Sequence, residues 1–235
     1  MVLRGSLTRY VVAVVALALV AVFLGMYAAG RASAVDRRCG QHRDQSAERA
    51  RLVTGSGDRV SIVGDSWSVG LGLDDLADSW PSRLPGQVRV AGFSGSGYSA
   101  SASPCGNQSF AARVTPAVTD GAAVVVVQGG LNDFDRTDAA IERGFRRLME
   151  RLATSYVVVL GPAAAPARDD RMPRVEADLE RLADEYAVPY VATSDLELDY
   201  LDDHLHLTEG GHQEYGDAVA EGIADVEARR PLLRR

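Results

Sequence analysis

The sequence predicts an α/β fold, a parallel sheet with helices on both faces behind an N-terminal hydrophobic helix. Three observations carry this. Short β-branched runs alternate with longer segments of helical apolar spacing, the pattern of a parallel sheet with crossover helices. The third run, Ala122 to Val127, is apolar throughout, as a strand buried on both faces must be. The chain has 235 residues, 46% hydrophobic and 24% charged, enough for one sizeable core and not two.

Five strands are expected. Val60–Val63 ends at Gly64, and Val88–Ala91 and Ala122–Val127 follow. Tyr156–Leu160 stops at Gly161-Pro162, and Tyr190–Ala192 is the weakest. Between them, Ile141, Phe145, Leu148 and Leu152 recur at helical spacing behind Thr137 as a cap. Val175, Leu179, Leu182 and Tyr186 repeat that spacing, and Tyr215, Val219, Ile223 and Val226 mark a last helix. Each stripe buries one face and leaves Arg, Asp and Glu outward. Gly161 to Pro173 is a Pro/Ala/Arg loop without assignable chemistry.

Val11 to Ala29 is an uncharged run of 19 residues, which as a helix spans roughly 28 Å, close to a bilayer core. Arg4 and Arg9 precede it and Ala32-Ser33-Ala34 offers an A-x-A cleavage site, so residues 1–34 read as a signal peptide or a signal anchor. Residues 35–58 are polar and read as a stalk, in part helical, 59–228 as the globular domain and 229–235 as a C-terminal tail. The domain is expected outside the cytoplasm, secreted or held to the membrane by residues 11–29. There, pairing of Cys39 with Cys105 is expected, a loop closure worth about 4 kcal/mol in the chain-entropy model.

Composition removes several function classes. All 25 basic residues are Arg, and a Walker-type phosphate loop needs Lys. Net charge is −7 with the acids spread along the chain, which disfavours nucleic-acid binding. Two Cys make neither a zinc-finger array nor a disulfide-dense scaffold. His204, His206 and His212 are accompanied by no further ligand set, with only His42 elsewhere, so the Asp202–His212 cluster is not expected to hold a metal.

Open α/β sheets bind ligands at the carboxyl ends of their strands, and four polar clusters fall there. They are Gly64-Asp65-Ser66-Trp67, Gly92 to Tyr98, Gly129-Gly130-Leu131-Asn132-Asp133, and Asp202 to Thr208 before the last helix. Together they supply the parts for acyl transfer through a serine. A serine hydroxyl needs an adjacent base, for which His206 is suited, and Asp203 three residues earlier can fix its tautomer. The oxyanion that forms needs donors, and the N–H groups of Ser66 and Gly95 with the Asn132 amide provide three. Gly97 is the alternative to Gly95. Asp133 reads as a helix cap without a chemical role, and His212 as a helix-surface residue or a hydrogen-bonding partner in the first turn. Trp67 is a candidate wall of the substrate pocket, and Trp80 either lines that pocket or packs in the core.

Gly64-Asp65-Ser66, Gly95, Gly130-Leu131-Asn132-Asp133 and Asp203-x-x-His206 stand in the order of the four blocks of the SGNH (GDSL-type) hydrolases, which the chain resembles over roughly 59–228. The second block departs from the family pattern, which often has Asn just before its Gly, where this chain has Ser94. The resemblance implies a flavodoxin-like three-layer αβα sandwich with a five-stranded parallel sheet in the order 2-1-3-4-5. It implies esterase or lipase activity with no metal or organic cofactor. By position it makes Ser66 the nucleophile, His206 the base, Asp203 its partner, and Gly95 and Asn132 oxyanion donors. The expected partner is a small-molecule, lipid or glycan acyl ester, met by a monomer, with the membrane a further partner if the first helix is retained. Transfer to a second alcohol, or glycan or lipid binding without turnover, are the alternative functions.

Overall fold

The computed structural model describes residues 3–233. The first helix, α1 (Leu3–Arg51), is continuous, and the chain forms two compact units, residues 1–41 and 42–235. The first carries an apolar stretch of mean hydropathy 2.6, none of it buried, long and apolar enough to cross a membrane. A signal sequence has the same character. The protein accordingly works outside the cytoplasm, secreted or membrane-linked. Cys39 and Cys105 are both disulfide-bonded, the state an oxidising compartment preserves.

The expected stalk at 35–58 is not a separate segment. Ala, Arg, Gln and Glu are good helix formers, and they carry α1 through to Arg51. From His42 onward the chain belongs to the globular unit. Ser46 donates to the Gly92 carbonyl, and Arg49 is 0% exposed, with its Nε 3.2 Å from Ser79 Oγ. The tail also differs from expectation, because the last helix runs to Leu233. Residues 234–235 of that tail, and 1–2 of the leader, lie outside the described residues.

Six strands form the sheet: β1 (Val53–Thr54), β2 (Arg59–Gly64), β3 (Gln87–Gly92), β4 (Ala122–Gln128), β5 (Val157–Leu160) and β6 (Tyr190–Val191). Their order is β1-β3-β2-β4-β5-β6. β2 to β6 are parallel and, counted among themselves, run 2-1-3-4-5 as expected. The sixth strand was not expected from sequence. β1 pairs antiparallel with β3, Val53 opposite Arg89 and Thr54 opposite Val88, and so covers part of an edge that would otherwise expose unpaired backbone groups.

The helices are α2 (Ser66–Val69), α3 (Phe110–Arg113), α4 (Pro116–Thr119), α5 (Asp138–Arg151), α6 (Met172–Glu185) and α7 (Glu209–Leu233). The periodic residues are the buried ones: Ile141, Phe145 and Leu148 in α5, Val175, Leu179 and Leu182 in α6, Tyr215 and Val219 in α7. α5 packs against α3 and α6, while α7 packs against β6 and the turn Trp80–Arg83. Tyr215 meets the Trp67 and Trp80 rings edge-on at 5.2 and 5.5 Å.

One glycine fixes how closely a helix approaches the site-bearing loops. A Cβ on Gly144 of α5 would sit 2.0 Å from the Tyr98 carbonyl oxygen. Gly144→Ala should therefore push α5 off the Tyr98–Ser99 backbone and lower stability by about 2 kcal/mol, despite the better helix propensity of Ala. Urea unfolding of the full chain measures this, and an unchanged midpoint would contradict the packing.

Candidate active site

The site begins where β2 ends. A Cβ on Gly64 would lie 2.0 Å from Ser68 Oγ, so only Gly lets the chain turn directly from β2 into α2. Asp65 caps α2, its Oδ1 accepting from the Trp67 N–H at 3.0 Å. Burial pushes the Asp65 carboxyl up to about 6, against the Trp67 N–H, the Gln128 side chain and the more distant His206 and Arg113, which all favour the charged form. Ser66 opens α2, and its Oγ is 3.2 Å from His206 Nε2. The Ser66 N–H, at a helix start, is taken by no group among the described residues.

His206 and Asp203 come from the short segment before α7. The isolated bridge Tyr200–Leu207 and the Leu201 N–H to His206 O bond of 2.7 Å close this segment on itself. Asp203 Oδ1 accepts from the Leu205 and His206 N–H groups at 3.0 and 2.9 Å. Its Oδ2 lies 2.5 Å from His206 Nδ1. Partial burial works to raise the Asp203 carboxyl, but the His206 N–H, its imidazole and the Leu205 N–H outweigh it and bring it to about 2. Asp203 stays 49% exposed at its side chain. His204 stands in the left-handed region at φ 54° and is exposed, away from the Ser66–His206–Asp203 line.

The second and third clusters reach the same edge. Gly95 has φ +82°, and the atom nearest to where a Cβ would stand is 3.8 Å away, so conformation rather than space asks for glycine there. Its N–H is also unused among the described residues. Gly97 differs: a Cβ would meet Asp133 Oδ2 at 2.3 Å, and its carbonyl accepts from the Phe110 N–H at 2.9 Å. Asn132 follows Gly129 and Gly130, at φ +149° and +125°. Its Nδ2 donates to Ser96 O at 2.9 Å and lies 3.4 Å from Asp65 Oδ2.

Several residues have functions here that local sequence did not reveal. Asp133 is fully buried, and its two oxygens accept from the Tyr98 and Ser99 N–H groups at 2.8 and 2.9 Å. It pins the loop that carries Gly95, and burial pushes its carboxyl up to about 6, against those two N–H groups. Arg113 donates to the carbonyls of Gly64 and Ala91 and to Ser96 Oγ, tying the ends of β2 and β3 to the same loop. Its one signal in the sequence was an arginine near the end of an otherwise apolar segment. Trp67 is not a pocket wall. It is 1% exposed, and its Nε1 donates to Leu205 O at 3.0 Å, bracing the His206 segment against α2. His212 is the hydrogen-bonding partner in the first turn of α7 and not a helix-surface residue, since it is 1% exposed. Its Nδ1 accepts from the Trp80 N–H at 3.4 Å. Among the described residues no group of three or more His, Cys, Asp or Glu side chains is arranged to hold a metal.

This architecture matches known proteins. Residues 62–214 match the GDSL-like Lipase/Acylhydrolase family, and the chain belongs to that family. It is an esterase/lipase-type serine hydrolase of the SGNH group. Among solved structures it is similar to Est24, a carbohydrate acetylesterase from Sinorhizobium meliloti, with TM-score 0.59, 18% identity, and coverage of 72% of this chain and 100% of that one. The inhibitor-bound aryl esterase of M. smegmatis gives 0.56, 19%, 72% and 99%. A family two carbohydrate esterase from Cellvibrio japonicus gives 0.56, 14%, 73% and 62%. No curated protein matches the sequence significantly.

Burial holds the His212 imidazole neutral down to about pH 4, with the nearby His206 acting in the same direction. An unfolded His takes up its proton near 6.5. The depressed pKa therefore contributes stability that is present above about 6.5 and lost as pH falls toward 4. His212→Asn keeps an acceptor for the Trp80 N–H and removes the titration. The loss of urea stability between pH 6.5 and 4 should be smaller in this variant than in the native chain, and equal losses would contradict it.

Proposed function

We propose that Ser66, His206 and Asp203 are the catalytic triad of this hydrolase, and that Ser66 N–H, Gly95 N–H and the Asn132 amide form its oxyanion hole. The observation that carries this reading is the line Ser66 Oγ–His206 Nε2–Asp203 Oδ2, at 3.2 and 2.5 Å, drawn from opposite ends of the domain sequence.

The chemistry follows from the geometry. Ser66 Oγ attacks the acyl carbon while its proton passes to His206 Nε2. Asp203, held ionised by two backbone N–H groups, fixes the tautomer with the proton on Nδ1 and stabilises the imidazolium that results. The carbonyl oxygen becomes an oxyanion and receives the two unused backbone N–H groups. Asn132 Nδ2 carries two hydrogens. One is committed to Ser96 O, and the other faces Asp65 at a length that a full oxyanion can outcompete. His206 then returns its proton to the leaving alcohol, leaving an acyl-enzyme on Ser66. Water, deprotonated by His206, attacks that ester, and His206 passes the proton to Ser66 Oγ as the acid leaves.

The substrate class in this reading is a carboxylic ester with a short acyl group on a sugar or an aryl alcohol. Support comes from the carbohydrate acetylesterase, the carbohydrate esterase and the aryl esterase among the similar structures. The membrane is a second partner, met through the apolar part of α1.

Purified full chain in detergent should hydrolyse p-nitrophenyl acetate and take a fluorophosphonate label on Ser66. Ser66→Ala should lower kcat/KM by about 10³-fold or more and abolish labelling, and Asp203→Asn should lower kcat by at least about tenfold. Labelling at another serine, or full turnover by the folded Ser66→Ala chain, would overturn the assignment.

A further inference from the structure

The strand alternation puts Arg59 and Ser61 of β2 on one face with Arg89 of β3, Ser61 lying directly opposite Arg89 in the parallel ladder. Between this face, Ala50 near the end of α1, and α4 lies a cavity of about 290 Å³. Three arginines line it, Arg59, Arg89 and Arg113, and no acidic residue does. None of the three forms an ion pair among the described residues.

The lining also holds donors with nothing to donate to. Ser61 is 2% exposed, and its Oγ is buried without a partner among the described residues. The same is true of Arg59 Nε, although its other two nitrogens donate to the carbonyls of Ala117 and Asp120. Arg113 is engaged with the Gly64 and Ala91 carbonyls and Ser96. The Arg89 side chain, exposed across the ladder, forms no ion pair among the described residues. Buried donors without acceptors are costly. A water molecule would satisfy Ser61 and Arg59 Nε but would leave the Arg59 and Arg89 charges unneutralised, while Arg113 already faces the Asp65 carboxyl.

We propose that this cavity binds a small tetrahedral oxyanion of the phosphate or sulfate type, either free or as the headgroup of an anionic phospholipid. Ser61 Oγ and Arg59 Nε donate to it from the sheet, and Arg89 supplies a mobile charge from the neighbouring strand. Charge-assisted bonds of this kind are the strong ones, and the volume is at the small end for ligand pockets, which suits an ion or headgroup and not an acyl chain. The site is built from residues other than those proposed for catalysis and stands whether or not the triad assignment does.

The test uses the full chain in phosphatidylcholine nanodiscs, titrated calorimetrically with inorganic phosphate and with sulfate at constant ionic strength. One-site binding with Kd of about 1 mM or tighter is expected. Ser61→Ala and Arg89→Gln should each weaken it about tenfold or more, while Arg146→Gln, an exposed arginine outside the cavity lining, leaves it unchanged. Arg89 is exposed, so its variant keeps the test open if Ser61→Ala fails to fold. Repeating the titration in nanodiscs containing phosphatidic acid separates the sources. A weaker apparent phosphate affinity that Arg89→Gln abolishes identifies a lipid headgroup, and an unchanged affinity identifies a free anion. Absence of saturable binding, or equal affinity in all three variants and the native chain, overturns the proposal and leaves an adventitious or water-filled cavity.

Discussion

Buried charge at the carboxyl edge of the sheet has to be matched by backbone dipoles, and the other features of the site depend on that match. Asp65 and Asp133 are both fully buried. Asp65 accepts the Trp67 N–H of the helix it caps, and Asp133 accepts the Tyr98 and Ser99 N–H groups of a neighbouring loop. Arg113 answers from the other side, with its guanidinium on the carbonyls that end β2 and β3. An ionised group taken out of water costs several kcal/mol unless such bonds replace its hydration. The loops bearing Ser66, Gly95 and Asn132 are therefore fixed by polar bonds as well as by packing, which is what a preorganised oxyanion site requires.

His206 is placed differently. Its segment is short, part-exposed and closed by its own backbone bonds. The contact that registers it against α2 is Trp67, whose ring is sealed in the aromatic group with Tyr215 and Trp80 and whose Nε1 reaches Leu205 O. An aromatic ring with one polar atom suits this position, since its body fills the core while its N–H fixes a backbone. In the mechanism proposed here, the residue after the nucleophile thus sets the distance to the base rather than meeting the substrate.

The parts of this arrangement legible in the sequence were those with a local period or spacing. The Ala122–Val127 run specified a central strand without reference to anything distant. The stripes Ile141–Leu152 and Val175–Tyr186 specified helices, and Asp203 and His206, three apart, could meet within one turn of chain. The strand ends then brought the four polar clusters to one edge. β1 was not legible, because two residues carry no period, and its pairing depends on the edge that β3 presents. The stalk was read from polarity alone, whereas Arg49 is polar and fully buried.

The sequence by itself determined the α/β layering, the parallel strands, the family blocks and the identity of the candidate triad, because hydrophobic periodicity and short-range spacing are written directly in residue order. Tertiary structure decided the rest. It turned Trp67 inward, buried His212 under the Trp80 turn, made Asp133 the clasp of the Gly95 loop and Arg113 the tie between strands. Each of these depends on a partner many positions away, and whether a polar side chain is solvated or desolvated is settled only when the distant surface that covers it arrives.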